Sequence, residues 1–269
     1  MYISTTDWNN YIERLSKINK KAADSMIKFV QQNGFADTTA LIDYAYLLAT
    51  KYGEASAALS AEMYDAIAEL SGRLYEPAVM AATADYGTVA KTINGVLKNS
   101  VNTDLIAGSV SRLVKQAGAD TTLQNALRDG AEFAWVPSGD TCAFCITLAS
   151  RGWQSAGKRA IKDGHAEHIH AHCDCTYAIR FSENDGVQGY DPKQYLDEYM
   201  SADTSSEGFG SVNNDRDVEK RDWQSVTTAR INGMRRANYA KNKDMINAQK
   251  REAYALRKRA IEDGELKEE

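Results

Sequence analysis

The chain has 269 residues, 43% of them hydrophobic and 26% charged, with three prolines and a 9% aromatic fraction; it carries enough apolar material for a real core, which excludes a fibrous, collagen-like or mostly disordered protein. The net charge of −5 hides an asymmetry, because residues 220–259 hold twelve Lys or Arg against three Asp or Glu, a +9 segment on a body that carries −14. No apolar run approaches the roughly 18–20 residues that cross a bilayer, and Met1-Tyr2-Ile3-Ser4 opens with neither a basic nor an apolar leader pattern, so the expected setting is a cytoplasm or an assembly built in one.

In chain order, residues 7–32 place Trp8, Tyr11, Ile12, Leu15, Ile18, Ala22, Met26, Phe29 and Val30 mostly three and four apart, the repeat of one helical face, and Asn33-Gly34 ends it. A longer helix begins at Asp37-Thr38-Thr39, runs through Leu41, Leu48, Leu59 and Ile67, and closes at Ser71-Gly72 before Pro77. Three shorter helical patterns follow, at about 78–98, 102–117 and 120–134, and no strand pattern shows in the first 134 residues. At Trp135-Val136-Pro137-Ser138-Gly139-Asp140 a proline and a turn sequence stop the helices. A small irregular module begins there and ends on Thr176–Phe181, where Tyr177, Ile179 and Phe181 alternate as in a half-buried strand. Residues 183–214, rich in Ser, Gly, Asn and Asp, read as a linker with one short helix after Asp191-Pro192. From 215 to 269 sparse apolar points on a Lys/Arg-rich background read as a charged helical arm.

The expected fold is therefore mainly α: a helical domain over 1–134, a zinc-stapled α+β module over 135–182, the linker, and the basic C-terminal arm over 215–269.

All four cysteines fall within one 34-residue window. Cys142-Ala143-Phe144-Cys145 is a Cys-x-x-Cys pair, and His170-Ala171-His172-Cys173-Asp174-Cys175 is His-x-x-Cys-x-Cys. Without an export signal, such pairs point to a metal rather than to disulfides. Thiolates at about 2.3 Å and imidazole nitrogens at about 2.0–2.1 Å suit a tetrahedral Zn2+, and a closed four-ligand shell is that of a structural site. Five donors, Cys142, Cys145, His170, Cys173 and Cys175, compete for four positions; Cys142 and Cys145 with two of the other three are favoured, and which two stays open. The competing reading makes the cysteines small buried hydrophobes. A redox role for Cys142 and Cys145 would need a βαβ setting that the sequence does not show.

The four histidines sit together in Gly164-His165-Ala166-Glu167-His168-Ile169-His170-Ala171-His172. His165-Ala166-Glu167 has the His-x-Glu form of zinc deaminases, which keeps a zinc-dependent enzyme acting on nucleic acid or nucleotides as the alternative. In those enzymes His-x-Glu precedes the cysteine pair, whereas here the pair comes first. The plainer reading leaves His165, His168 and His172 as solvated loop residues, and no catalytic residue is assigned.

Trp135 through Cys145, Ser150-Arg151-Gly152, and His170-x-x-Cys173-Asp174-Cys175 with its following strand resemble the minor capsid, or head morphogenesis, proteins of tailed phages of Gram-positive bacteria, relatives of the Mu F-like group. Thr50-Lys51-Tyr52-Gly53-Glu54-Ala55 to Glu62-Met63-Tyr64-Asp65 is similar to their N-terminal part, so the resemblance covers roughly residues 1–185. It implies a structural virion component at the capsid interior or portal vertex, assembled in the host cytoplasm, with the portal and major capsid proteins as partners and packaged DNA within reach. The basic arm offers Arg235, Arg236, Lys241, Lys243, Lys250, Arg251, Arg257, Lys258 and Arg259 to DNA phosphates without sequence preference. The competing reading is a solvated charged helix.

Overall fold

The computed structural model describes residues 1–73, 75–99, 101–138, 143–157 and 175–201, together with the single positions 233, 237, 240 and 243. The described part is mainly helical. After a two-residue strand β1 (Tyr2–Ile3) come α1 (Thr5–Asn33), α2 (Thr38–Ser71), α3 (Tyr86–Asn99) and α4 (Thr103–Asp129). Then follow β2 (Glu132–Val136), α5 (Ala143–Ala149), β3 (Gln154–Ser155), β4 (Thr176–Arg180), β5 (Gly186–Val187) and α6 (Pro192–Ser201).

Each long helix starts on a side chain that satisfies its first free N–H groups. Ser4 accepts from the Asp7 N–H, Asp37 from Ala40, and Asn102 from both Asp104 and Leu105. At the C-termini of α2 and α4, Gly72 and Gly130 take left-handed conformations with φ of 68° and 65°.

Three expectations change. The pattern at 78–98 forms a helix only from Tyr86. Ahead of it the chain is non-helical over 75–85, because its backbone bonds go to side chains of α2 and α4. The Ala78 N–H donates to Asp65 Oδ1 (2.8 Å) and the Ala81 N–H to Thr121 Oγ1 (3.0 Å). Val79 exchanges a pair of 2.9 Å bonds with the Asn125 amide, and Arg128 donates to the Glu76 and Pro77 carbonyls. Asp85 then caps α3, its carboxylate accepting from the Thr88 N–H at 2.8 Å.

The patterns at 102–117 and 120–134 join into the single helix α4, which runs straight through Gly118. That glycine is a contact point rather than a stop: a Cβ there would meet Ser56 Oγ at 2.6 Å and Ser60 Oγ at 2.7 Å, so its absence lets α2 and α4 cross closely. The last of those residues are strand. β2 shows no alternation in sequence because Phe133, Ala134, Trp135 and Val136 are all buried.

β2 is the centre of a three-stranded sheet in the order β3-β2-β4, antiparallel to both neighbours, with Phe133 opposite Ile179 and Val136 opposite Thr176. β1 pairs in parallel with β5, joining residues 2–3 to 186–187 inside the segment read as a linker. α6 lies in that segment as well, after Asp191-Pro192.

Two apolar clusters make the core. One gathers Met26, Leu41, Leu48, Val89, Ile93, Ile106 and Val110 from α1 to α4. The other packs Trp8, Tyr11, Tyr64 and Leu123 from the same long helices against Phe133, Trp135, Tyr177 and Ile179 of the sheet. The sheet therefore shares a core with the helical bundle, and that end of the molecule carries the candidate site.

Candidate metal centre

Cys145 lies in α5 and is fully buried; Cys175 immediately precedes β4 and is 5% exposed. Both belong to the cluster that holds Trp135, Tyr177 and Ala149. Strand register places Cys175. Val136 pairs with Thr176, so the C-terminal end of β2 and the residue Cys175 sit at the same end of the β2–β4 pair.

The surroundings are aromatic. The Tyr177 ring meets Trp135 edge-on at 4.6 Å and Phe133 at 5.6 Å. Burial pushes the Tyr177 phenol far above its ordinary value, with the nearby Asp120 and Cys145 adding to the rise. Burial likewise raises the Tyr195 phenol on α6, and Cys175 contributes there. Each thiol thus has an aromatic hydroxyl in electrostatic reach. α6 closes over α5 beside Tyr190, whose hydroxyl donates to the Ala149 carbonyl at 3.0 Å. Trp153 packs edge-on against Tyr190, and the Arg180 guanidinium lies 4.9 Å from the Trp153 ring while its Nε donates to Glu132 at 2.6 Å.

Two soft donors buried in one apolar cluster fit a thiolate-binding metal such as zinc. Cys142, His170 and Cys173, the other candidate ligands, lie outside the described residues, as do His165, Glu167, His168 and His172. Among the described residues no group of three or more His, Cys, Asp or Glu gathers to hold a metal ion. Of the basic arm, Lys243 is described as an exposed helical residue; Arg235, Arg236, Lys241, Lys250, Arg251, Arg257, Lys258 and Arg259 lie outside.

Sequence reasoning missed the polar joints around this centre. The Tyr64 hydroxyl donates to Asp129 Oδ2 at 2.7 Å, and Arg128 holds the same carboxylate through Nε and Nη2, each at 2.7 Å. That guanidinium keeps the Asp129 carboxyl below the usual carboxylate range, while burial drives the Tyr64 phenol upward. The Met1 ammonium pairs with Asp185 and donates to the Asn184 carbonyl at 2.6 Å. Only the i, i+1 neighbours Arg128-Asp129 offered a local signal.

No described helix is long and apolar enough to cross a membrane. The fold and the match below define a mainly helical protein encoded by a phage. Residues 2–202 match the family model of the VG15 protein, a stretch that takes in every element from β1 to α6, and the chain belongs to that family. No curated protein and no solved structure matches it.

Proposed function

We propose that this phage protein is a structural minor capsid, or head morphogenesis, protein that contacts the portal and the inner capsid, with a structural zinc ion closing its strand-bearing end. The observation that supports the phage origin is the family match over residues 2–202, which spans the helices, the sheet and both described cysteines; the capsid role rests on the resemblance of Trp135 through Cys145, Ser150-Arg151-Gly152 and His170 through Cys175 to minor capsid proteins. The burial of Cys145 and Cys175 in one cluster supports the metal. Cys142 and Cys145 with two of His170, Cys173 and Cys175 hold it, and with four protein ligands it leaves no open position for catalysis. Zinc so held supplies folding energy to a small module rather than reactivity. The residues around it do the rest: Phe133, Trp135 and Tyr177 pack edge-on as an aromatic wall, and the β2–β4 register sets Cys175 beside the Val136 end of β2. The basic arm is proposed to neutralise packaged DNA without reading sequence, through Lys243 and its neighbouring Lys and Arg residues.

The test is quantitative mass spectrometry of DNA-filled particles purified from the source phage. Recovery of this chain at a low, fixed ratio to the portal subunit is the expected result. Its absence from particles, with the protein left in the unassembled lysate, contradicts a virion role.

A further inference from the structure

Beneath the sheet, α1, α2 and α4 enclose a cavity of about 20 Å³ against Trp135 and Thr176. Three of its lining residues carry buried polar atoms that find no partner in the protein: Asn19 Oδ1, Ser56 Oγ and Trp135 Nε1. Those residues are 7%, 1% and 3% exposed and come from α1, α2 and β2 in turn. Elsewhere on the same wall the polar groups do pair, since the Tyr11 hydroxyl meets Ser60 Oγ at 3.0 Å and also reaches Thr176 and Thr122. Buried polar atoms are almost always satisfied, and three exceptions on one cavity have one economical explanation.

We propose that this cavity binds a single ordered water molecule that accepts from the Trp135 indole N–H and donates to Asn19 Oδ1 and Ser56 Oγ. Size sets the first limit: one water needs about 10–15 Å³ by this measure, so the cavity takes one and not two, and no larger polar ligand. Chemistry sets the second. The indole only donates and the amide oxygen only accepts, so the occupant must do both. A cation cannot take the indole proton's bond, and chloride cannot satisfy Asn19 Oδ1. Gly118 bounds the site on α4, where the helix crossing is too tight for a side chain to fill it. The water is thus a joint between the helical bundle and the sheet, completing the network that starts at Tyr11 and Ser60. None of its three polar partners is a candidate metal ligand, although Cys175 is part of the same wall.

Magnetisation transfer from water to the Trp indole protons, measured on the full chain labelled with 15N at tryptophan, tests this. The chain has four tryptophans, and loss of one signal in Trp135→Phe, or sequential assignment, identifies the relevant one. The expected result is transfer to the Trp135 indole with the sign of a long-lived bound water, and hydrogen exchange slowed about 100-fold or more against an unfolded chain. Asn19→Leu, which fills the cavity, is expected to abolish that transfer while leaving the indole shifts dispersed. A Trp135 indole that receives no transfer in the unmodified protein, that exchanges at the unfolded rate, or that keeps its transfer in folded Asn19→Leu overturns the proposal. Should Asn19→Leu fail to fold, the measurement on the unmodified protein decides alone.

Discussion

Around Met26, Val89 and Ile106 the core is aliphatic side chains from four helices, whereas around Trp135 and Tyr177 it interleaves aromatic rings with hydroxyls, an indole N–H and two thiols. Both ends are built on the same three long helices, so the contrast is one of what closes them. The α3 end is closed by shape, with Val89, Ile93, Ile106 and Val110 filling space that another aliphatic set of equal volume would also fill. The sheet end is closed by specific partners. Its strands are short, β3 and β5 being two residues each, and short strands bury too little apolar surface to hold an irregular module unaided. The metal proposed above would supply what packing there does not.

The contrast is open to attack at several depths. Cys142→Ser, which removes a ligand common to every candidate set, is expected to have the largest effect: bound zinc falls from one per chain to none by elemental analysis, and the sheet end melts, since structural zinc contributes on the order of 10 kcal/mol to small metal-folded modules. Met26→Ala, at a fully buried position of the α3 end, should cost about 2–5 kcal/mol in denaturant unfolding and leave the zinc content unchanged. If it removed zinc as well, the two ends would not be separable. Tyr64→Phe, which deletes the hydroxyl on Asp129, should cost about 1 kcal/mol. The same joint makes stability acid-sensitive. The Asp129 carboxyl is held below its ordinary value chiefly by its bonds from Arg128, so its contribution is present above about pH 4 and is lost as pH falls through the lowered folded value. An acid titration of the Arg128→Gln variant should show that loss reduced. Smallest of all, Glu167→Ala should change neither melting nor particle assembly, because the proposed closed zinc shell would give that carboxylate no water to activate; loss of function with the fold intact would instead favour the deaminase-like alternative.

What the sequence revealed depended on whether a residue's partner was local. α1 and α2 were legible because a stripe of apolar residues and a capping Ser4 or Asp37 are written in consecutive turns. The break between the 102–117 and 120–134 patterns was not a helix end, because Gly118 between them meets another helix, at Ser56 and Ser60. The 75–85 stretch misled for the same reason: its backbone is satisfied by Asp65, Thr121 and Asn125, which no local window contains. β2 was hidden by burial on both faces, which erases the alternation that marks a strand. At the site, cysteine spacing pointed to a metal, and the structure adds that Cys145 and Cys175 are buried in one cluster. Nothing in the spacing pointed to the polar cavity beside them, since Asn19, Ser56 and Trp135 meet only once three elements have packed.

Hydrogen exchange followed by mass spectrometry on the full chain, with and without a zinc chelator, tests the division between the two ends most directly. The account predicts that chelation releases zinc and removes protection from 132–136, 143–149 and 176–180, while α3 and its contacts across residues 89–114 keep theirs. A chain that carries no zinc as purified, or that exchanges identically in the two conditions, contradicts it.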